Sequence, residues 1–224
     1  MMVQKSLNKC IIWTILVLFS SFILTQQVAN YFIEDRIAKE KQLVQHTAQT
    51  TALHFESKIE KYLSAASFLK NYLLLNGEEA TSAAFAQLAS AMMDKNGVIQ
   101  CLELAKDGTI NNVYPLQGNE HVLGLNLLTA EKRRYEASLA RSTGKYTIAG
   151  PFPLVQGGVG ALLLDSIFKY NNKGEYRFWG FAVVVIDWEA FVKEVNLEHL
   201  EKSGYHYSIW HRDPYTGAKA NIAA

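Results

Sequence analysis

Cysteine is scarce in this chain, and its scarcity excludes one class of fold. Cys10 and Cys101 are the two cysteines among 224 residues. Secreted domains held together by disulfides need a denser cysteine framework. Because Cys10 lies in a long apolar run and Cys101 in a predicted strand, we expect no disulfide between them. The spacing of cysteines and histidines predicts no zinc site, and the sequence predicts no cofactor.

An excess of charge of one sign is also lacking. Lysine and arginine number 22 against 21 aspartates and glutamates, which gives a formal net charge of +1. Proteins that bind nucleic acid usually carry a concentrated basic face, so nucleic acid is not an expected partner. Apolar residues make up 49% of the chain, which is enough for a substantial core and argues against disorder.

Residues 10–28 contain no charged side chain and approach the length of about 20 residues that spans a bilayer. Lys5 and Lys9 precede this run, which favours a cytoplasmic segment at residues 1–9 and export of everything after the span. A cleaved signal peptide is the alternative. Val28-Ala29-Asn30 is a poor cleavage site, so an uncleaved transmembrane helix is favoured.

The next segment, residues 30–75, has neither proline nor glycine and is rich in good helix formers. Its apolar residues are spaced alternately four and three apart, as in a helix–helix seam; they are Phe55, Ile59, Tyr62, Ala66, Leu69 and Leu73. This pattern predicts a long stalk helix that ends at Asn76-Gly77. One interpretation is a helix that packs on its own domain, and the other is a stalk that pairs with a second copy to form a homodimer.

From residue 81 onward, the sequence predicts both helices and strands. The predicted helices are residues 81–93, 128–142 and 188–195, and the predicted strands are residues 98–105, 110–114, 145–149, 178–186 and 205–211. Residues 178–186 are apolar on both faces, which is typical of a covered central strand. We expect an α+β fold in which a PAS-like antiparallel sheet has flanking helices and follows one long helix.

A run of prolines and glycines at residues 150–160 leads into the apolar strand residues 161–164. Pro151 and Pro153 fix the backbone and remove donors, while the three glycines that follow allow close approach. Together these residues predict a surface against which either the protein's own core or a ligand packs closely. A phosphate loop is not favoured, because its glycines open a helix and these lead into a strand.

Five segments, taken in order, resemble the CHASE domain, an extracytoplasmic sensor of bacterial histidine kinases, diguanylate and adenylyl cyclases and plant cytokinin receptors. These segments are residues 122–128, Arg133-Arg134, and residues 140–145, 150–160 and 178–187. The resemblance covers the chain from about Tyr31 onward. It implies a long N-terminal helix followed by two PAS-like modules, with the ligand in the module distal to the membrane.

The resemblance implies a periplasmic sensor that is anchored in a bacterial inner membrane, with the chain periplasmic from about residue 30. Residues 76–190 are then the membrane-distal module, and residues 191–224 begin a membrane-proximal module that continues beyond this chain. We expect no enzyme activity here, and an output domain of the diguanylate cyclase or histidine kinase type further on. The alternative is a membrane-anchored periplasmic protein that binds another protein through a coiled-coil stalk.

The ligand is expected between the sheet and the helix at residues 128–142. Cytokinin-binding members of the family carry an aspartate where this chain has Arg133, so a small molecule, and an anion rather than a purine, is favoured. The predicted ligand-binding residues are Arg133, Pro151, Leu154, Gln156, Gly160, Leu162, Leu164, Asp165, Trp179 and Phe181. Asp165 is interpreted either as a strand-end residue at the mouth of the pocket or as a turn residue. The other interpretations are a solvated helix face for Arg133 and core packing for Trp179 and Phe181.

Overall fold

The computed structural model describes residues 2–76, 82–171, 173–214 and 216–223, and its longest element is a single helix. This helix, α1, runs over Met2–Asn76 and contains the predicted membrane span. The chain divides into two compact units, Met1–Leu53 and His54–Ala224. In the first unit, apolar side chains such as Phe19 and Phe22 are exposed. Over the described residues, this is the one helix that is long and apolar enough to cross a membrane.

The second unit is built on one antiparallel sheet of five strands in the order β2-β1-β5-β4-β3. The strands are β1 Ile99–Lys106, β2 Thr109–Tyr114, β3 Thr147–Pro153, β4 Val159–Tyr170 and β5 Tyr176–Asp187. The helices are α2 Ser82–Met92, α3 Arg134–Thr143, α4 Trp188–Val195, α5 Glu198–Lys202 and a 3₁₀ turn at Glu120–Val122. A separate hairpin pairs β6 Ile209–Arg212 with β7 Lys219–Ala223. The predicted α+β, PAS-like architecture is confirmed.

The central strands β4 and β5 bury side chains on both faces, because successive residues of a strand point to opposite sides. One face, called the α1 face, carries Leu163, Val184 and Ile186 and packs against α1 and α4. The other, called the α3 face, carries Leu162, Val183 and Val185 and shares a core with α3. The sheet therefore lies between two separate apolar cores.

The apolar seam of α1 packs on the chain's own sheet. Ile59, Tyr62, Ala66, Leu69 and Leu73 are buried in the core of the α1 face. For this part of the helix, packing on its own domain is confirmed. The upstream apolar residues Ile33, Ile37 and Val44 are exposed, and pairing of two stalks through them stays a prediction.

Helix α3 begins later than the sequence predicts, at Arg134 rather than Leu128. Residues 126–134 instead form two successive hydrogen-bonded turns, in which the Asn126 carbonyl accepts from Ala130 N and the Ala130 carbonyl accepts from Arg134 N, both at 2.9 Å. The Asn126 side chain fixes the first turn, because it accepts from Leu128 N and donates to Thr109 Oγ1, both at 2.9 Å.

Strand β3 is longer than predicted and includes both prolines, since it ends at Pro153 rather than Ala149. It lies at the edge of the sheet, where proline's missing N–H is tolerated. The predicted strand at residues 205–211 is shorter and displaced, because β6 covers Ile209–Arg212. Gly77 and Thr81, at the ends of two predicted helices, lie outside the described residues.

Helix α4 matches its predicted bounds. Asp187 caps it by accepting a hydrogen bond from Ala190 N at 2.8 Å, as the sequence predicts. The helix runs through the predicted module boundary between residues 190 and 191. The division into membrane-distal and membrane-proximal modules stays a prediction.

Candidate functional site

Three rows of side chains cross the α3 face from β1 through β5 to β4. The first row is Cys101, Val185 and Leu162. The second row is Glu103, Val183 and Leu164, and the third is Ala105, Phe181 and Ser166. All nine are buried. Six are apolar and three bear a thiol, a carboxyl and a hydroxyl, so this face combines an apolar surface with a few polar groups. That composition is typical of a small-molecule site.

Glu103 is the most unusual of these side chains, because it is 1% exposed. Its Oε1 accepts from the Cys101 thiol at 3.6 Å, while its Oε2 has no hydrogen-bond partner among the residues that the structure describes. Burial raises the pKa of Glu103 to about 7, against the opposing effects of the Cys101 thiol and the positive charge of Arg133. The carboxyl therefore gains and loses its proton close to neutral pH.

Arg133 approaches the same face from the residue that precedes α3, and it is 8% exposed. Its guanidinium carbon lies 4.7 Å from the centroid of the Phe152 ring, and within the described ranges its Nε has no hydrogen-bond partner. Burial lowers the pKa of Arg133, and the charge of Glu103 opposes that effect. The interpretation of Arg133 as a solvated helix residue is wrong.

A tight turn after β3 brings Gln156 to the edge of this face. Leu154 N donates to Gly158 O at 3.0 Å, and Gly157 N donates to Leu154 O at 3.2 Å. Gln156 Nε2 then lies 3.8 Å from Cys101 Sγ, whereas its Oε1 has no partner in the part of the chain that the structure covers. The turn thus adds an amide to the carboxyl and guanidinium groups.

The close packing predicted for the glycine run occurs with the protein's own atoms. A Cβ added at Gly160 would lie 2.5 Å from Leu154 Cδ1 and 2.6 Å from Ile186 O. A Cβ added at Gly150 would lie 2.9 Å from Gly160 O. These two glycines let β3 and β4 approach each other and let Leu154 cover the sheet.

Most of the predicted ligand-binding residues come together on the α3 face. Leu154, Leu162, Leu164 and Phe181 share its core with Phe152. Gln156 and Arg133 lie beside it as described, and Gly160 lies beneath Leu154. Pro151 is half-buried in β3, between Gly150 and Phe152.

Asp165 and Trp179 lie instead on the opposite, α1 face. Asp165 is in the middle of β4, neither at a strand end nor in a turn, and its carboxylate accepts hydrogen bonds from Lys70 Nζ at 3.0 Å and Ser67 Oγ at 3.1 Å. Trp179 belongs to the core that contains α1. Neither side chain is on the face with Arg133, so their predicted contact with the same ligand is not supported by this arrangement.

Sequence reasoning missed Glu103, Cys101 and Ser166. One signal was present: Glu103 stands between two leucines inside a predicted strand, where a charged residue is rarely buried without a purpose. Ser166 gave no such signal because serine is common on surfaces. It is fully buried, and the described chain supplies no hydrogen-bond partner for its Oγ.

A second polar cluster joins α1 to α4. Glu194 accepts hydrogen bonds from Lys58 at 2.8 Å, from Lys61 at 3.0 Å and from the Tyr62 hydroxyl. Burial alone would raise the pKa of Glu194, but these three donors lower it to about 2. Burial and the same carboxylate raise the pKa of Tyr62 to about 12. This cluster holds α1 against α4 and has the composition of a structural ion-pair network.

The chemistry of the α3 face suits binding better than catalysis. Burial and the Glu103 carboxyl raise the pKa of Cys101, so its sulfur stays a thiol rather than the thiolate a nucleophile needs. A carboxyl, a guanidinium, an amide and a hydroxyl surround an apolar floor. These groups can fix the orientation of a small polar molecule.

Comparison with known proteins agrees with this fold. A sequence model of the CHASE domain family matches residues 79–219. The structure is similar to that of an extracellular ligand binding receptor from Desulfohalobium retbaense DSM5692, with a TM-score of 0.53 and 18% sequence identity. The match covers 68% of this chain and 26% of the receptor chain. This similarity concerns the fold. No curated protein sequence matches the chain.

Proposed function

This chain belongs to the CHASE domain family, and we propose that it binds a small molecule in the periplasm and signals across the bacterial inner membrane. Its family and fold are those of an extracytoplasmic sensor domain. Its N-terminal apolar helix fits a membrane-anchored periplasmic domain. The ligand, the inner membrane and the output are the proposed parts.

The observation that carries the proposal is the set of buried polar atoms on the α3 face. Glu103 Oε2, Arg133 Nε and Ser166 Oγ are enclosed, and the described residues offer none of them a hydrogen bond. Buried polar groups are nearly always paired in folded proteins, because each unpaired one costs about 1–3 kcal/mol. A bound polar molecule would provide the missing partners.

Strand β4 offers a physical route from this face to the stalk. Leu164 and Ser166 lie on the α3 face, and Asp165 between them pairs with Lys70 of α1. A ligand that displaces β4 would therefore move Asp165 against α1, the helix that contains the predicted membrane span at residues 10–28. Such a response requires that the ligand bind two states with different affinity.

The remaining parts of the proposal are the output, which follows from the family, and the homodimer, which follows from the apolar spacing of α1. We place a diguanylate cyclase or a histidine kinase beyond this chain as the output, on the analogy of other CHASE receptors. We also place two copies side by side through the exposed apolar residues of α1, such as Ile33 and Ile37. This homodimer would let a change in one sensor alter the pairing of the two membrane helices.

A thermal-shift screen of the full chain in lipid nanodiscs tests the ligand claim. The compounds are amino acids, organic acids and purines. A ligand present at 100 times its Kd should stabilise the fold by about 2.7 kcal/mol. The shift should disappear in Arg133→Met, which keeps an apolar stem over Phe152, and persist in the matched control Lys132→Met at an exposed neighbour.

Two outcomes would contradict the proposal. One is a screen in which no compound stabilises the wild-type chain. The other is a stabilising compound whose effect is equal in the wild type and in Arg133→Met, since that compound would bind elsewhere.

A further inference from the structure

Two ionisable groups of opposite charge, rather than one, face the candidate site. Glu103 comes from strand β1 in the sheet, and Arg133 from the residue before α3. Both are more than nine-tenths buried, and each retains a side-chain atom that no other described residue satisfies. The site thus presents a guanidinium donor and, once Glu103 has lost its proton, a carboxylate acceptor of opposite charge.

We propose that the ligand of this site is a small zwitterion of the α-amino acid type, with its carboxylate directed to Arg133 and its ammonium group to Glu103. This inference rests on the proposed function, since it names the ligand class of the same site. It refines the expectation of an anion that Arg133 alone suggests.

Charge balance favours a zwitterion over a simple anion. A carboxylate without an amine would pair with Arg133 but would bring a second negative charge close to Glu103. A simple amine would meet the opposite difficulty at Arg133. Like charges that share a buried site repel strongly because little water screens them. A zwitterion satisfies both groups and adds no net charge to the interior.

Two unpaired acceptors beside Cys101 also fit an ammonium group. Glu103 Oε2 and Gln156 Oε1 are buried oxygens without a hydrogen-bond partner in the described chain, and both can accept from the N–H donors of an ammonium group. Both side chains contact Cys101 Sγ, Glu103 through Oε1 at 3.6 Å and Gln156 through Nε2 at 3.8 Å. Arg133 Nε supplies the complementary donor.

The surrounding surface favours an apolar ligand side chain. Leu162, Leu164 and Phe181 form the floor beside the polar groups, and Phe152 and Leu154 cover it from β3 and the turn that follows. A charged side chain on the ligand would be placed against these residues without a partner. Amino acids of the leucine or phenylalanine kind suit this surface best.

The test compares three compounds that differ only in their charged groups. The first is L-leucine, the second is 4-methylpentanoate, which lacks the amine, and the third is 3-methylbutylamine, which lacks the carboxylate. The other amino acids are screened in the same way. Calorimetry on the full chain in nanodiscs measures each affinity. Because a hydrogen bond to a charged group contributes about 1.5–3 kcal/mol, removal of either group should weaken binding about 10-fold to 100-fold.

Glu103→Gln provides a reciprocal test. This near-isosteric change removes the partner of the ammonium group and also the negative charge that repels simple acids. Leucine should bind the variant more weakly than the wild type, and 4-methylpentanoate should bind it more tightly. The matched control, Glu131→Gln at an exposed position, should change neither affinity.

A measurement on the wild-type chain avoids dependence on any variant. At pH 6, leucine binding should ionise Glu103 and release a proton, which calorimetry in two buffers of different ionisation enthalpy detects. Binding without proton release would overturn the assignment of the ammonium group to Glu103.

The outcomes separate this inference from the proposed function. If a simple carboxylate binds the wild type as tightly as its amino acid does and still requires Arg133, the zwitterion is wrong and the sensor site stands. If neither the amino acids nor any other compound of the wider screen stabilises the chain, both proposals fall.

Discussion

Asp165 of strand β4 and Lys70 of helix α1 form an ion pair, with 3.0 Å between the lysine nitrogen and the carboxylate oxygen. The neighbours of Asp165, Leu164 and Ser166, point to the opposite face of the sheet, where Arg133 and Glu103 lie. One strand therefore contacts the candidate ligand site on one side and the stalk helix on the other. We therefore propose that β4 itself couples the ligand site to the stalk helix.

Lys70→Met should weaken this coupling more than it weakens binding. The Asp165 side chain is 10% exposed, so loss of its cation should lower the free energy of unfolding by about 1–3 kcal/mol. Ligand affinity should change little, because Lys70 is on the α1 face. Hydrogen exchange should show that the ligand no longer alters protection of α1 residues 54–76.

The matched control is the double variant Lys70→Met with Asp165→Leu. Replacement of both partners by apolar residues should recover most of the stability but not the ligand response of α1. A single variant as stable as the wild type, with a normal response, would show that the ion pair does not couple the two faces.

Glu103 should make stability decline as the pH rises. Its pKa lies above the ordinary value of 4.5, at about 7, because burial disfavours the charged form. The free energy of unfolding therefore keeps its full value from this group below pH 4.5, and it decreases as the pH rises through 7. Across this range the wild type should lose up to about 3 kcal/mol relative to Glu103→Gln. Thermal unfolding from pH 4.5 to 8 measures the difference, and parallel curves would contradict it.

Glu194 should affect stability at the acidic end. Hydrogen bonds from Lys58, Tyr62 and Lys61 overcome the effect of burial and hold its pKa at about 2, below the ordinary 4.5. Its contribution is therefore present above pH 4.5 and is lost as the pH falls toward 2. Glu194→Gln should lower stability by about 1–3 kcal/mol at pH 6 and by less at pH 3.

Glu198→Gln is the control for this cluster, because Glu198 forms an exposed pair with Lys202. Exposed pairs contribute little, so this variant should follow the wild-type curve. If the two glutamine variants have the same pH profile, the Glu194 cluster does not stabilise the contact between α1 and α4.

Gly160→Ala should disturb the turn that covers the α3 face. The added methyl group would lie 2.6 Å from the Ile186 carbonyl oxygen and 2.5 Å from Leu154. Such overpacking costs about 1–3 kcal/mol, and Leu154 would have to move. Chemical denaturation should show this loss, whereas Val159→Ala at the exposed neighbouring position should cost less. Equal stability of the two variants would contradict the close packing.

Local signals in the sequence were enough for some elements and not for others. The run at residues 178–186 predicted a central strand, and Asp187 predicted the start of α4, because each depends on a few adjacent residues. The turns that precede α3 were not predicted, and the first of them is held to β2 by the hydrogen bond from Asn126 to Thr109. A contact of that kind across 17 residues leaves no periodic pattern.

The candidate site was predicted in part for the same reason. The resemblance led to Arg133, and the run of prolines and glycines led to the turn after β3. The structure brings these together with Leu162, Leu164 and Phe181. Asp165 and Glu103 both stand in apolar strands, and the sequence does not tell which face each one takes. That choice depends on strand register, which pairs Glu103 with Val183 and turns Asp165 toward Lys70.

Hydrogen exchange of the full chain, with and without the most stabilising compound of the screen, tests the central claim most directly. If a small molecule binds on the α3 face, protection should rise in residues 101–105, 131–137 and 154–166, and stay constant in the β6–β7 hairpin. Protection that rises only in that hairpin or on the exposed surface of α1, with residues 131–137 and 154–166 unchanged, would contradict the account.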